Sequence, residues 1–401
     1  MLLKTTIISL LCIDLIIESL LILLEYNQYI KYSKHSYRYD YFSIRYSILK
    51  LSSQYLSVAL SLGSLIYIIC NFNRFVGRFS SDLLFTIFNY TLYFIFGYAF
   101  PRIYDQFIVE SKAKYNTASI YYLIYHLTFI YVLIGSAISL IVTIINKIYR
   151  EDSNQLQDID YEKQDSNNNV ASLDSKSPWL TFFILLSSIA LIVSFLNGYD
   201  LLSVNAKYHK SSEQYFKDMT TYVINDHVRT KHTRIFIRGL FNPKIIYSDT
   251  MTSIMHKDDL KKLAIIEYEV NRHQIPFMKL FFNIFKVFLF SLLIRNIHHV
   301  GLTSLCESDS LPAGRLLIAA FALYVPLMFF MAPIENTLYK KKIYASDCST
   351  MNKSGNISQP LIDYYTWNGI NVKRKPLYAL FYTNFPPILT RLANLHSCRR
   401  N

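Results

Sequence analysis

Seven stretches of this chain are too apolar for a soluble fold to hold: residues 5–24, 55–72, 83–100, 119–148, 179–202, 277–297 and 316–334. A helix needs about 20 mostly apolar residues to cross roughly 30 Å of hydrocarbon. Lipid admits only structures that satisfy their own backbone hydrogen bonds. The runs therefore predict a mainly α, polytopic protein with seven spanning helices. The fourth run is long enough to tilt or to emerge from the bilayer. The sixth is the weakest, because Lys279, Lys286 and Arg295 interrupt it. Composition agrees, with 52% of the 401 residues hydrophobic and 17% charged, against about 25% charged in soluble domains. The 33 tyrosines and 28 phenylalanines stand beside only 10 glycines and 11 prolines. That excludes a disordered or collagen-like chain and argues against a turn-rich barrel.

Basic residues test the span count independently, since Lys and Arg concentrate on the cytoplasmic side. With seven spans, residues 25–54, 101–118, 203–276 and the tail after 334 share one side and hold 30 Lys and Arg, while the other side holds 8. The N-terminus is then luminal and the C-terminus cytosolic. The net charge of +13 points to an anionic membrane surface rather than to nucleic acid. The first run has the n- and h-regions of a signal peptide but lacks a small-residue cleavage site. It also carries Asp14 and Glu18 one helical turn apart. Carboxylates at membrane depth face protein or water, so an uncleaved helix lining an interior is expected.

Between the spans, residues 151–177 are acidic and rich in Asn, Ser and Gln, and read as a flexible luminal loop. Residues 1–202 form the N-terminal membrane region, with five spans. Residues 203–401 form a second region with spans six and seven. In it, the chain from Lys207 to Asp226 looks helical, RIFIRG and KIIYSD read as a hairpin, and residues 257–273 place Leu260, Leu263, Ala264 and Val270 on a helical stripe. Another amphipathic stretch, ILTRLANL, follows Pro386 and Pro387. The five cysteines (Cys12, Cys70, Cys306, Cys348, Cys398) are odd in number and scattered, which supports neither a disulfide framework nor a cysteine zinc finger. No Gly-rich phosphate loop, GxSxG elbow or HExxH pair occurs. The adjacent His298 and His299 read as an interfacial cluster.

Four collinear segments nevertheless carry a pattern. They are PRIYDQFIVESKAKYNTAS at residues 101–119, GLFNPKIIYSDT at 239–250, APIENTLYKKKIYASD at 332–347 and NFPPILTRLANL at 384–395. Together they resemble the type I CAAX prenyl endopeptidases, integral-membrane zinc metalloproteases of the endoplasmic reticulum. Pro101, Tyr104, Phe107, Val109, Glu110, Lys112, Tyr115 and Asn116 follow the first family motif; Asp347 and Arg391 follow later ones. The resemblance implies a seven-helix chamber with a small cytosolic α+β metalloprotease-like domain, built from the loop before span six and the tail. The departures fall on the chemistry. In the best register the family's HExxH lies on Tyr268-Glu269-Val270-Asn271-Arg272, so Glu269 keeps the general-base position and both histidines are lost. Another register makes Glu267 the retained acid. The distal zinc-binding Glu falls at Ile343, the histidine of the HPP element at Phe385, and the substrate-holding Asn-Ala segment at Arg234 and Ile235. Arg and Ile do not ligate zinc, and the lone His273 cannot hold it. No metal is expected, although the family uses Zn²⁺. Glu269 then has two readings, a surviving general base acting without its metal or, as favoured, an acid paired with Arg272 or Lys262 or facing water.

Three functions remain open on the sequence. The first is a degenerate homologue in the reticulum membrane that binds or escorts prenylated or membrane-inserting clients. The second is an active zinc endopeptidase with replacement ligands, removing the last three residues of farnesylated CAAX proteins. The third is a transporter or channel, suggested by Asp14, Glu18 and Lys286 at membrane depth but lacking internal repeats. The partners expected are the bilayer and such clients, not nucleic acid. The ending Cys398-Arg-Arg-Asn puts arginine where a CAAX box needs aliphatic residues, so no prenylation is expected.

Overall fold

The computed structural model describes residues 2–33, 38–79, 81–110, 120–162, 183–184, 187, 208–210, 220–224, 235–238, 244–273, 275–300, 313–367 and 374–398. Its first half is helical: α1 (Leu2–Ser33), α2 (Arg38–Cys70), α3 (Phe72–Val76), α4 (Asp82–Phe94), a π-helical turn (Ile95–Ala99), α5 (Phe100–Tyr104), a second π-helical turn (Asp105–Glu110) and α6 (Ile120–Glu162). Four short strands follow: β1 (Tyr208–Lys210), β2 (Thr221–Ile224), β3 (Ile235–Arg238) and β4 (Lys244–Ser248). Then come α7 (Asp249–Ile254), α8 (Lys257–Arg272), α9 (Ile275–Val300), α10 (Ala313–Ser354), α11 (Ser358–Trp367), α12 (Pro376–Tyr382) and α13 (Ile388–Cys398).

Among the described residues, six helices are long and apolar enough to cross a membrane: Leu3–Lys31, Ile44–Cys70, Asp82–Val109, Leu123–Ile144, Phe277–Ile297 and Ala313–Ser354. They coincide with six of the seven apolar runs. The other run, 179–202, lies almost wholly outside the described residues. Burial along α1 explains how such a helix sits. Ile7, Leu11, Asp14, Glu18 and Glu25 recur at three-, four- and seven-residue steps on its buried face, while Ile13, Ile16, Leu20 and Leu23 are exposed on the other. An apolar outer face around a partly polar inner one suits a helix with lipid on one side and protein on the other. Lys286, which weakens the sixth run, is paired with Glu335 of α10 at 2.6 Å.

Of the four packing clusters among the described residues, two are the largest. One lies in the bundle, where Ile7, Leu11, Leu65, Ile69, Phe72, Phe85, Leu316, Ala319 and Ala320 share a core. The small residues of α10 permit close helix approach. At its N-terminus the Asp82 carboxylate accepts the Gly314 N–H at 2.8 Å, and a Cβ on Gly314 would meet Thr86 Oγ1 at 1.8 Å. That glycine is therefore required by contact. The other centre joins Ile245, Tyr247, Met251, Leu263, Ile266, Ile357, Leu361 and Ile388. Here a four-stranded sheet of order β1-β2-β4-β3 packs with α8, α11 and α13. β3 pairs antiparallel with β4, with Ile235 opposite Tyr247; this is the expected hairpin. β4 also pairs in parallel with β2.

Two expectations are corrected. Within the stretch 207–226, where a helix was expected, the described residues 208–210 and 221–224 are the strands β1 and β2, in keeping with the β-branched TTYVI segment. Residues 151–162, expected as the start of a flexible loop, continue α6 to Glu162. That segment has no Gly or Pro to stop it, so the helix propagates from its apolar part.

Candidate functional site

Helix α10 has 42 residues, about 63 Å at 1.5 Å per residue, roughly twice the hydrocarbon thickness. Its first half is the apolar span. Its second half must leave the bilayer, and there it packs against α8 and the tail helices. A cavity of about 730 Å³ lies at this junction. Helix α8 presents Glu267, Val270 and Asn271 to it, α9 adds Ile275 and Lys279, and α10 adds Tyr339 and Ile343. Ile235 and Ile237 of β3 complete the lining, with Tyr365, Arg374, Tyr382, Phe385 and Arg391.

The helical repeat decides which face of α8 reaches the cavity. Residues 267, 270 and 271 share one face by i, i+3, i+4 spacing, and Leu260, Leu263, Ala264 and Ile266 are buried. Glu269 does not line the cavity. It is fully buried and joins α8 to α10, accepting a hydrogen bond from Ser349 at 2.6 Å and a short one from Lys353. Arg272 is more distant at 3.9 Å and largely exposed. Burial alone would raise the Glu269 carboxyl, but the bonds from Lys353 and Ser349 outweigh it and hold the group below its ordinary value. Glu267 behaves oppositely. Burial pushes its carboxyl up to about 7, with Arg391 and Lys279 pulling it down and Asp347 pushing it up.

The family-motif positions of the tail act as pins. The Arg391 guanidinium grips the Asp347 carboxylate through Nε at 2.8 Å and Nη2 at 2.5 Å, with both residues buried. This fork geometry suits a buried pair. Asn336 Nδ2 donates to the Leu380 and Phe381 carbonyls at 2.7 and 2.9 Å, fixing α12 against α10. Ile343 is buried and faces the cavity, and Phe385 is half exposed at its edge. Tyr268 is half-buried and packs against the core that contains Leu263 and Ile266. Glu110 ends the second π-helical turn; Asn116 lies outside the described residues. In α1, Glu18 accepts a hydrogen bond from Tyr382 at 2.7 Å, whereas both Asp14 oxygens are buried without a hydrogen-bond partner.

The sequence did not reveal Lys279, Arg374 or the tyrosines of the cavity, because they come together from segments far apart in the chain. The one available signal was Lys279 itself, a cation near the start of an apolar run. A cysteine pair was also missed: Cys348 of α10 and Cys398 of α13 form a disulfide, with Cα atoms 5.6 Å apart. Among the described residues, no three His, Cys, Asp or Glu side chains gather closely enough to hold a metal. The donors facing the cavity on the zinc-motif helix are one carboxylate and one amide, with an alkyl group at Ile343. That set does not fit zinc, which takes at least three N, S or O protein ligands.

Neither a protein-family model nor a curated protein sequence matches the chain. Among solved structures, Ste24p of S. mikatae superimposes at a TM-score of 0.77 and 15% identity, covering 98% of this chain and 99% of that one. Over 98% of its length, this chain has the fold of Ste24p, a CAAX prenyl protease.

Proposed function

We propose that the chain is a divergent member of the CAAX prenyl protease family in the reticulum membrane that has lost zinc and proteolysis. It uses its retained interior to bind or escort prenylated or membrane-inserting clients. The observation that carries this reading is the substitution pattern around the cavity. The wall occupied by Glu267, Asn271 and Ile343 offers one carboxylate where metal-dependent hydrolysis needs several ligands and an activated water. The side chains that follow the family motifs outside this wall, Asp347 and Arg391, are engaged in a buried ion pair. The fold is kept while the hydrolytic donors are replaced.

Metal content tests it. The full chain, purified in mild detergent without chelator and supplied with zinc, is expected to carry no stoichiometric zinc by plasma mass spectrometry and to leave a farnesylated CAAX peptide intact. About one zinc per chain, together with release of the terminal tripeptide, would establish the active endopeptidase instead. For the transporter reading, the membrane-depth pairing of Lys286 with Glu335 removes one of the three charges that suggested it.

A further inference from the structure

We propose that the cavity binds a single-chain amphiphile with an anionic head, the head being a carboxylate or a phosphate monoester. The proposal rests on reading the cavity as a non-hydrolytic binding site and names what that site recognises. Its volume, about 730 Å³, falls within the range of roughly 300–1,000 Å³ typical of small-ligand sites. Ile235, Ile237, Val270 and Ile343 give the apolar wall, and tyrosine rings stand beside them. Such walls take a chain or ring system and discard water.

The charges supply the head-group preference. Among the described residues, three basic side chains line the cavity: Lys279, Arg374 and Arg391. Arg391 is already neutralised by Asp347. Lys279 faces Glu267 and Arg374 faces Glu25 of α1, and among the described residues neither cation is held in a direct salt bridge as Arg391 is. Among the described lining residues Glu267 is the acidic one, and its burial favours the protonated form. Cations thus outnumber carboxylates on the described lining, and that excess beside an apolar interior favours an anion. Lys279 is exposed and Arg374 half-buried, so both remain hydrated until the head group arrives. A neutral amphiphile would satisfy the walls and leave that excess uncompensated.

The test uses the full chain in nanodiscs of phosphatidylcholine, whose head group carries no net charge. Three probes share one oleoyl chain: oleate, oleoyl lysophosphatidate and monooleoylglycerol. A fourth is an unprenylated peptide with a free carboxyl terminus. Both anionic amphiphiles are expected to bind at least about tenfold more tightly than the glycerol ester, a typical margin for a charge-assisted contact. Comparing oleate with lysophosphatidate identifies the preferred head. Lys279→Met and Arg374→Met should each weaken anionic binding by about tenfold and leave the glycerol ester unchanged. Lys279→Arg and Arg374→Lys should retain most of the affinity, which excludes misfolding as the cause. Equal binding of the glycerol ester, unaltered affinity in both methionine variants, or binding of the peptide alone would overturn the proposal. None of these readouts depends on zinc, so their failure is distinct from failure of the non-hydrolytic reading.

Discussion

At the scale of single residues, two neighbouring glutamates on α8 have opposite assignments, and each gives a prediction. Glu269 is fully buried and bonded to Lys353 and Ser349, so its work is to tie α8 to α10. Glu269→Gln should destabilise the protein by about 1–3 kcal/mol, the cost of weakening a buried charged contact. It should leave ligand affinity at the cavity unchanged; denaturant melts and binding isotherms on one variant separate the two. Glu267 faces Lys279 from α9, Asp347 from α10 and Arg391 from α13. Its carboxyl is raised from 4.5 to about 7, so the folded chain holds a proton that the unfolded chain releases. The sign follows from linkage: this contribution is fully present below 4.5 and is lost as pH rises to about 7. In melts across that window, Glu267→Gln should flatten the decline and be the more stable protein at the alkaline end. Wild type and variant with parallel profiles would mean that Glu267 is not held protonated.

At the scale of elements, the Cys348–Cys398 disulfide closes a segment of 50 residues that contains α11 and α12. Loop-closure entropy assigns such a bond about 4 kcal/mol. Cys398→Ser should therefore lower the melting midpoint of air-oxidised protein and leave that of fully reduced protein nearly unchanged. The proposed orientation puts this pair in the cytosol, where glutathione keeps thiols reduced. Alkylation inside cells should then find both sulfurs free, while purified protein acquires the bond. Long apolar helices were readable in the sequence because one property, hydropathy, defines them. The β3–β4 hairpin and helix α8 were readable because their periodicities are local. Strands β1 and β2 were not: each is three or four residues long, and β2 is held in parallel by β4, a partner no local pattern announces. The site was half readable. Motif order located it, but without the histidines nothing in the sequence fixed the register on α8. The inward residues proved to be Glu267 and Asn271 rather than Glu269.

At the scale of the whole molecule, the proposed orientation rests on the distribution of Lys and Arg and is open to a test independent of function. Three N-x-S/T sequons occur, at Asn89, Asn352 and Asn356. Asn89 is buried in α4 within a candidate span, where oligosaccharide transfer cannot reach it. Asn352 in the last turn of α10 and Asn356 just beyond it are both exposed. Accessibility therefore does not protect them; only their side of the membrane can. With the C-terminal region cytosolic, neither should carry sugar in the native protein. The substitution Asn169→Thr would complete a sequon at Asn167, in the segment assigned to the lumen, and that site should become sensitive to endoglycosidase H. These two sites lie on opposite sides of the membrane only if an odd number of spans separates them. The apolar runs 179–202, 277–297 and 316–334 supply three. Sugar at Asn352 or Asn356 together with sugar at Asn167 would reduce that number to an even one. The run at 277–297 would then be the first to discard, because it holds Lys279, Lys286 and Arg295. That result would also place Lys279 on a helix outside the bilayer, away from any lipid-borne ligand, so the span count bears directly on how an amphiphile could enter the cavity.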